Sequence, residues 1–496
     1  MMNSKGEINM RKQVVSILLA LALCLSLVSV PALAEEPDHI VVTFLTLGAT
    51  PPDLVKVQDK VNEKTIPQIN VEVEFKAVSA YDAFALFPTW VSTGGERIDL
   101  MLPLLQDIRS YVDQQLLLPL DDLIAENAPH LTALMEEGQP IVSNSIFDGE
   151  VYAVTTVPNM YGQGGGFVVG EKYIEETGFD YDPSRVYTLD DLTGLFAAIK
   201  EKHPEMYPCG VVTTGKTNSE FAYASDAIDS LGGAPTYTGV LMGADSTTIV
   251  DMYESEEYQN YLRHLREWNL AGYIHPDAAT MEGSVDSLKA AGVTAGYFMV
   301  SAPVQRKEGD VIIRLSEPYQ CSAGAGGWVI PFRAVEPAAA MRFLDLVWSD
   351  SDLANLIQWG IEGEHYVMLD KDTGYIGFPE GVTATNSGYY ITLGVWGDTR
   401  KIYSFSASNN QAENDAYTEE ASKRQTQGIG ISFNMENVTN EVAALSAVVA
   451  QYVPTLESGS VDLETYYPQF IQALKTAGID TVLAEKQAQF NEQYQK

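Results

Sequence analysis

Apolar and polar positions change period several times along the first hundred residues. From Ile40 to Thr46 the chain reads Ile-Val-Val-Thr-Phe-Leu-Thr, a short β-branched run that predicts a strand buried on both faces. A helix-like stretch follows over about 52–64, and Ile69 to Phe75 then alternates as Ile-Asn-Val-Glu-Val-Glu-Phe, a second strand with one wet face. Residues 80–92 are helix-like, and Ile98-Asp99-Leu100-Met101-Leu102 predicts a third strand. Strands that alternate with helices imply a parallel sheet covered by helices, so the first 120 residues read as one α/β lobe.

A second lobe is predicted after Val157 to Tyr161. There a Gly-rich break over 162–166 precedes Phe167-Val168-Val169. Thr188-Leu189-Asp190-Asp191 reads as a capping box that opens a helix through Lys202. Gly210 to Thr213 is a further strand, 255–270 a helix, Trp328 to Pro331 a strand, and Pro337 at a first helical position opens a helix through Trp348. Helical periodicity returns over 436–453 and 462–493, and no internal repeat is visible. Two α/β lobes in one chain enclose a cleft, and ligand sites favour domain interfaces and the carboxyl ends of parallel strands.

The amino terminus changes the picture of where these lobes work. Lys5, Arg11 and Lys12 precede an apolar segment from Val14 to Val30, then Pro31-Ala32-Leu33-Ala34 and Glu35-Glu36. This is the layout of a secretory signal with cleavage expected after Ala34. Lipid attachment at Cys24 is disfavoured, because Leu23 stands where a small residue belongs. The 496 residues hold 30 Lys and Arg against 67 Asp and Glu, a formal charge of −37, which repels nucleic acid phosphates and anionic lipid headgroups. Only Cys209 and Cys321 survive processing, too few for a disulfide scaffold or a cysteine zinc site.

Candidate chemistry is sparse. Gly162-Gln163-Gly164-Gly165-Gly166 has no following Lys-Ser or Lys-Thr and leads into a strand, so it reads as a hinge or a close backbone approach rather than a phosphate loop. Asp370 to Gly374 resembles the start of a calcium loop but has Gly374 at a ligand position, and reads as a hairpin turn. The six histidines show no zinc spacing, and no nucleophile elbow occurs. Glu362 and Glu364 are the best candidates for paired acid and base work, as in a secreted glycosidase. Two carboxylates in one Gly-interrupted loop are nevertheless poorly suited to flank a glycosidic bond. Trp90, Trp268 and Trp348 fall inside predicted helices and read as core. Trp328, Trp359 and Trp396 stand at a strand start or in Gly-rich loops, where a flat ring suits a sugar face.

Taken together, Trp359-Gly360-Ile361-Glu362-Gly363-Glu364-His365-Tyr366, Gly149 to Val154, Pro337 to Trp348 and the ending Leu474 to Asp480 with Glu485-Lys486-Gln487 resemble the extracellular solute-binding proteins, family 1, of bacterial carbohydrate-type ABC importers. The match is to a subgroup with a C-terminal extension. The resemblance implies an α/β two-lobe periplasmic-binding-protein-like fold of type II, with a hinge and an interlobe cleft. It implies capture of a carbohydrate for a membrane permease, and no catalysis. A secreted glycoside hydrolase and a cell-surface interaction protein are the alternatives. Lobe 1 is expected to comprise 35–157 plus about 287–335, and lobe 2 158–286 plus about 336–430, with a helical extension over 431–496. Cys209 and Cys321 then fall in different lobes, where a bridge would lock the hinge, so two free thiols are expected. Carried over residue by residue, the resemblance makes Gln106 and Asp107 candidates for hydroxyl contacts, places Tyr161 at the crossover, and brings Tyr223 and Asp226 in from the loop after Thr213. Trp328 and Trp396 are expected to stack on ligand, and Glu362 to contact it or fix its loop. Neither metal nor cofactor is expected, and the protein is expected to be an exported monomer.

Overall fold

The computed structural model describes residues 36–47, 49–103, 108–139, 141–142, 145–147, 149–155, 163–213, 219–232, 237–281, 284–303, 306–322, 327–391, 393–406 and 410–494. Gln106, Asp107 and Tyr161 lie outside them. The chain passes between two lobes three times.

Its first passage builds lobe 1. Strand β1 (Asp38–Thr46) pairs in parallel with β2 (Val71–Ser79) across helix α1 (Leu54–Ile69). Helix α2 (Ala80–Thr93) then leads to β3 (Leu100–Met101) on the other side of β1, giving the order β2-β1-β3. Both expected strand patterns are present. Strand β1 is buried on both faces from Ile40 onward, whereas in β2 Val71, Val73 and Phe75 face the core and Glu72 and Glu74 face water. After helix α3 (Pro129–Glu136), strand β4 (Val154–Thr155) leads to the first crossover.

Lobe 2 opens with β5 (Gly165–Gly170). Helix α4 (Leu189–Lys202) starts at the expected capping box, with Asp191 N–H donating to Thr188 Oγ1 at 3.2 Å and Thr188 N–H to Asp191 Oδ2 at 2.9 Å. Strand β6 (Tyr207–Gly210), helix α5 (Glu256–Leu270), strand β7 (Thr294–Val300) and strand β8 (Asp310–Arg314) follow, and the sheet order is β8-β5-β7-β6. Strand β7 packs so closely on β5 that a Cβ at Gly296 would lie 2.1 Å from the Val168 carbonyl.

The second crossover returns the chain to lobe 1 at β9 (Gly327–Trp328), which pairs antiparallel with β4. Helices α6 (Pro337–Ser349) and α7 (Ser351–Trp359) cover the lobe 1 sheet, and Met341, Phe343 and Leu344 share a core with Ile40, Val42 and Phe44. A hairpin of β10 (Val367–Asp370) and β11 (Tyr375–Gly377) turns at Gly374, as expected for that turn. The third crossover leads to α8 (Gln411–Ser422) and then α9 (Thr439–Glu457), α10 (Leu463–Ala477) and α11 (Ile479–Tyr494) in lobe 2.

This pairing corrects the expected boundaries. Residues 294–314 belong to the lobe 2 sheet rather than to lobe 1, and 337–359 cover lobe 1 rather than lobe 2. The helices over 439–494 pack into lobe 2, where Leu445, Val449, Phe470 and Phe490 share one core with Tyr253, Tyr258 and Tyr261. The expected helix over 462–493 is two helices, broken at Gly478 with φ 98°. Both cysteines are free, but Cys209 and Cys321 both belong to lobe 2.

Candidate functional site

Where the chain leaves and enters lobe 2, the crossovers run side by side. Gln163 and Tyr319 exchange backbone hydrogen bonds of 2.6 and 2.9 Å, and Gln320 exchanges them with Arg424 and Thr426 at 3.0 and 2.9 Å. On the lobe 1 side, Val154 faces Trp328 and Thr155 faces Gly327. Asp229, wholly buried, fastens this band. Its carboxylate accepts from Leu231 N–H at 2.7 Å, from Ser322 N–H at 3.0 Å, and from the hydroxyls of Ser322 and Thr426. The Gly-rich run is the expected close approach: a Cβ at Gly164 would lie 2.7 Å from both Ser301 Oγ and the Tyr417 hydroxyl, and one at Gly165 2.6 Å from the Tyr223 carbonyl.

Tyr223 therefore sits beside the first crossover, at the end of a 3-10 turn capped by Ser219. It is half-buried, and burial together with the nearby Glu220 carboxylate pushes its phenol up. Asp226 is exposed and bound to Arg424 at 2.5 Å, which ties the turn to the segment that follows α8.

Trp328 and Trp396 correct an expectation. Each is only 1% exposed, their rings lie 4.4 Å apart, and Trp396 packs on Phe44 and Phe75 in the lobe 1 core. Their glycine neighbours permit contact, not looping. A Cβ at Gly327 would lie 2.6 Å from the Val154 carbonyl, and one at Gly394 2.4 Å from Gln358 Oε1. No ligand ring reaches a face that other side chains already cover.

The segment Gln358 to Tyr366 is a clasp. Helix α7 ends at Gly360 with φ 80° and ψ −146°, where a Cβ would lie 2.4 Å from His365 Nδ1. His365 is buried, its Nδ1 accepts the Ile361 N–H at 2.9 Å, and its Nε2 therefore carries the proton facing Asp53 Oδ2 at 3.1 Å. Glu364 pairs with Lys56 of α1, and Gln358 donates to the Ile391 carbonyl at 2.6 Å. Asp53 precedes α1 just beyond the carboxyl end of β1. Lys64 at the far end of α1 meets Asp350 at 3.1 Å, so α1 and α7 run antiparallel and the clasp lies at the sheet's carboxyl end. Glu364 is bound to α1 and Glu362 is exposed near Tyr366 and Tyr403, so the pair does not face one bond.

Four rings near the clasp form a set that sequence reasoning did not assemble: Trp359, Phe378, Tyr390 and Phe405. Trp359 alone carried a signal, as an aromatic beside a Gly-bent loop. A cavity of about 500 Å³ has walls from both lobes, among them His130 and Gln139 of lobe 1 and Gln320, Thr418 and Gln425 of lobe 2. Apart from Leu134 and Gly138, the described residues that line it carry polar or charged side chains, and none of them is Trp, Tyr or Phe.

Residues 428–495 match the model of a family described as a domain of unknown function, DUF3502. A carbohydrate ABC transporter substrate-binding protein of Streptococcus pneumoniae serotype 4 (strain ATCC BAA-334 / TIGR4) is 23% identical over 368 residues, 71% of each chain. The crystal structure of the N-glycan transport solute binding protein NgtS from Streptococcus pneumoniae superposes with a TM-score of 0.77 at 19% identity, covering 92% of this chain and 99% of that one. The same protein in complex with Man1GlcNAc gives 0.68 at 18% identity, covering 92% and 100%. The chain thus has the two-lobe fold of these solute-binding protein structures, and over 71% of its length its sequence is similar to a carbohydrate ABC transporter substrate-binding protein.

Proposed function

We propose that the protein captures a neutral oligosaccharide between its lobes and presents it, unaltered, to a membrane permease. The observation that carries this reading is that the chain passes three times between two lobes with separate cores, the first two passages flanked by the antiparallel pairs Val154–Trp328 and Gln163–Tyr319, a construction that bends at few residues while each lobe stays rigid. Capture then shifts an equilibrium between open and closed arrangements. The formal charge of −37 favours uncharged cargo over anions. Tyr223 and Asp226 flank the first crossover and are proposed ligand contacts of lobe 2, with Gln106, Asp107 and Tyr161 as further candidates. The mature chain is taken to begin after Ala34 and to act as an exported monomer.

Thermal shift and calorimetry against neutral oligosaccharides test the reading. A sugar at 100 times its dissociation constant adds about 2.7 kcal/mol of stability. Saturable binding without product formation is expected. Hydrolysis of any bound sugar, or no binding across neutral mono- and oligosaccharides, overturns it.

A further inference from the structure

The ring set near the clasp has an arrangement that a lobe core does not explain. Trp359 stacks on Tyr390 with centroids 6.0 Å apart at 27° and meets Phe405 edge-on at 5.1 Å. Phe378 lies 4.4 Å from Phe405 and 5.4 Å from Tyr390. All four are half-buried, and none belongs to or packs against the buried core clusters of the described residues. A satellite core under a long loop would have its rings covered; these keep part of their surface open to water.

Position adds an independent argument. Trp359 ends α7 beside the amino end of α1, at the carboxyl end of the lobe 1 sheet, and Phe405 stands six residues before α8 begins in lobe 2. The set therefore lies where lobe 1 borders the crossover. The indole N–H of Trp359 donates to the Tyr403 carbonyl at 2.9 Å, which fixes the ring through its edge and leaves its faces for packing. Glu362, three residues along the same turn, is exposed, and its field reaches Tyr403 and Tyr366, so a carboxylate acceptor stands close to the rings. A flat apolar surface with an acceptor at its margin matches a pyranose, whose C–H face is apolar and whose edge carries hydroxyls.

We infer that Trp359, Phe378, Tyr390 and Phe405 form a stacking platform on lobe 1 for one pyranose unit of a neutral oligosaccharide, with Glu362 accepting from its hydroxyls. The inference rests on the sugar-capture reading above. It replaces Trp328 and Trp396, whose faces are covered, with rings that are half-buried and keep part of their surface in contact with water.

The test titrates wild type, Phe378→Ala, Tyr390→Ala and Trp359→Phe with Man1GlcNAc, kestose and short β-linked manno-, gluco- and galacto-oligosaccharides. Calorimetry reads affinity and tryptophan emission reads the environment of the rings. Each alanine variant is expected to bind roughly five- to tenfold more weakly than wild type. Trp268, Trp328, Trp348 and Trp396 are at most 2% exposed, and Trp90, the other half-buried tryptophan, stands on α2 under the Lys76 ammonium, so the emission change on binding is expected to come chiefly from Trp359 and to be largely lost in Trp359→Phe. Where an alanine variant fails to fold, Phe378→Leu and Tyr390→Leu keep apolar volume but remove the flat face, and the same weakening is expected. Wild-type binding with affinities within twofold in every variant, and an emission change that persists in Trp359→Phe, overturns the platform alone. No binding by wild type to any of these sugars overturns the capture reading, and the platform with it.

Discussion

Inside lobe 2 the Glu457 carboxylate accepts the backbone N–H of Glu220 at 3.0 Å, although the two residues stand 237 apart in the chain. The same carboxylate accepts from the Ser219 and Tyr258 hydroxyls, so the end of α9 holds the turn that carries Tyr223. Burial pushes the carboxyl up to about 7, with the Glu220 charge adding and the three hydrogen bonds opposing. Unfolded, the group titrates near 4.5. Between those values the native state keeps a proton that the unfolded state has released, so this group's contribution lowers stability as pH rises through the window and levels off above it. Glu457→Gln cannot ionise, and it turns an amide N–H toward Glu220, a roughly constant penalty. Relative to wild type, the variant is expected to gain on the order of 3 kcal/mol between pH 4.5 and pH 8. Urea unfolding across that range checks it, and parallel stability curves would refute the assignment.

Lys486 predicts the opposite trend in the same lobe. Its ammonium is wholly buried, donates to the carbonyls of Gly239 at 2.7 Å and Ser230 at 3.1 Å, and is pushed down to about 7 by burial. Here the unfolded state binds the extra proton between about 7 and 10.5, so the group's contribution declines as pH falls from 10.5 to about 7 and levels off below that. Lys486→Met keeps the apolar stem and forfeits two hydrogen bonds, worth roughly 1 kcal/mol each. The variant is expected to be less stable than wild type at pH 9 and to close that gap at pH 6, as read by thermal unfolding. A gap that widens on acidification would show that the lysine stays charged.

The sequence made local structure legible and long-range partnership illegible, for physical reasons that particular residues show. Ile40 to Thr46 and Val71 to Phe75 announce a two-faced and a one-faced strand, because burial on one face or two sets the apolar period. Thr188 and Asp191 announce a helix start, because the capping hydrogen bonds span three residues. Nothing local tells Thr294 to Val300 that its partners are Gly165 to Val169 in lobe 2. Glycine is ambiguous in the same way: beside Trp328 and Trp396 it serves tight packing, and at Gly360 it serves a turn. Of the expected contacts, Tyr223 and Asp226 stand beside the first crossover, while Phe378 and Phe405 meet only through folding.

Asp229 offers a direct probe of the crossover band. Its carboxylate satisfies four donors, two of them from Ser322 at the start of the second crossover and one from Thr426 in the segment after α8. Asp229→Ala leaves these donors buried and unpaired, at a cost of about 3 kcal/mol or more. Asp229→Asn retains one acceptor oxygen and is expected to lose less. Denaturant midpoints of the two variants check the order. Equal, small losses would mean that the band is held elsewhere.

The clasp at Gly360 is the sharpest test of whether the Trp-Gly-Ile-Glu-Gly stretch is architecture. With φ 80° and ψ −146°, Gly360 occupies backbone space that a side chain strains, and its missing Cβ makes room for His365 Nδ1. Gly360→Ala therefore combines a backbone penalty with displacement of a buried imidazole that joins Ile361 to Asp53. The expected loss is about 2–4 kcal/mol of stability. Glu362→Ala removes an exposed side chain from the same turn and is expected to leave stability within about 0.5 kcal/mol. If Glu362 accepts from a bound pyranose, that second variant weakens sugar affinity while its melting temperature stays level. Gly360→Ala instead lowers the melting temperature first. Comparing the two separates the glycine that shapes the loop from the carboxylate that the loop presents, and a Glu362→Ala variant that melts as early as Gly360→Ala would assign both residues to the clasp.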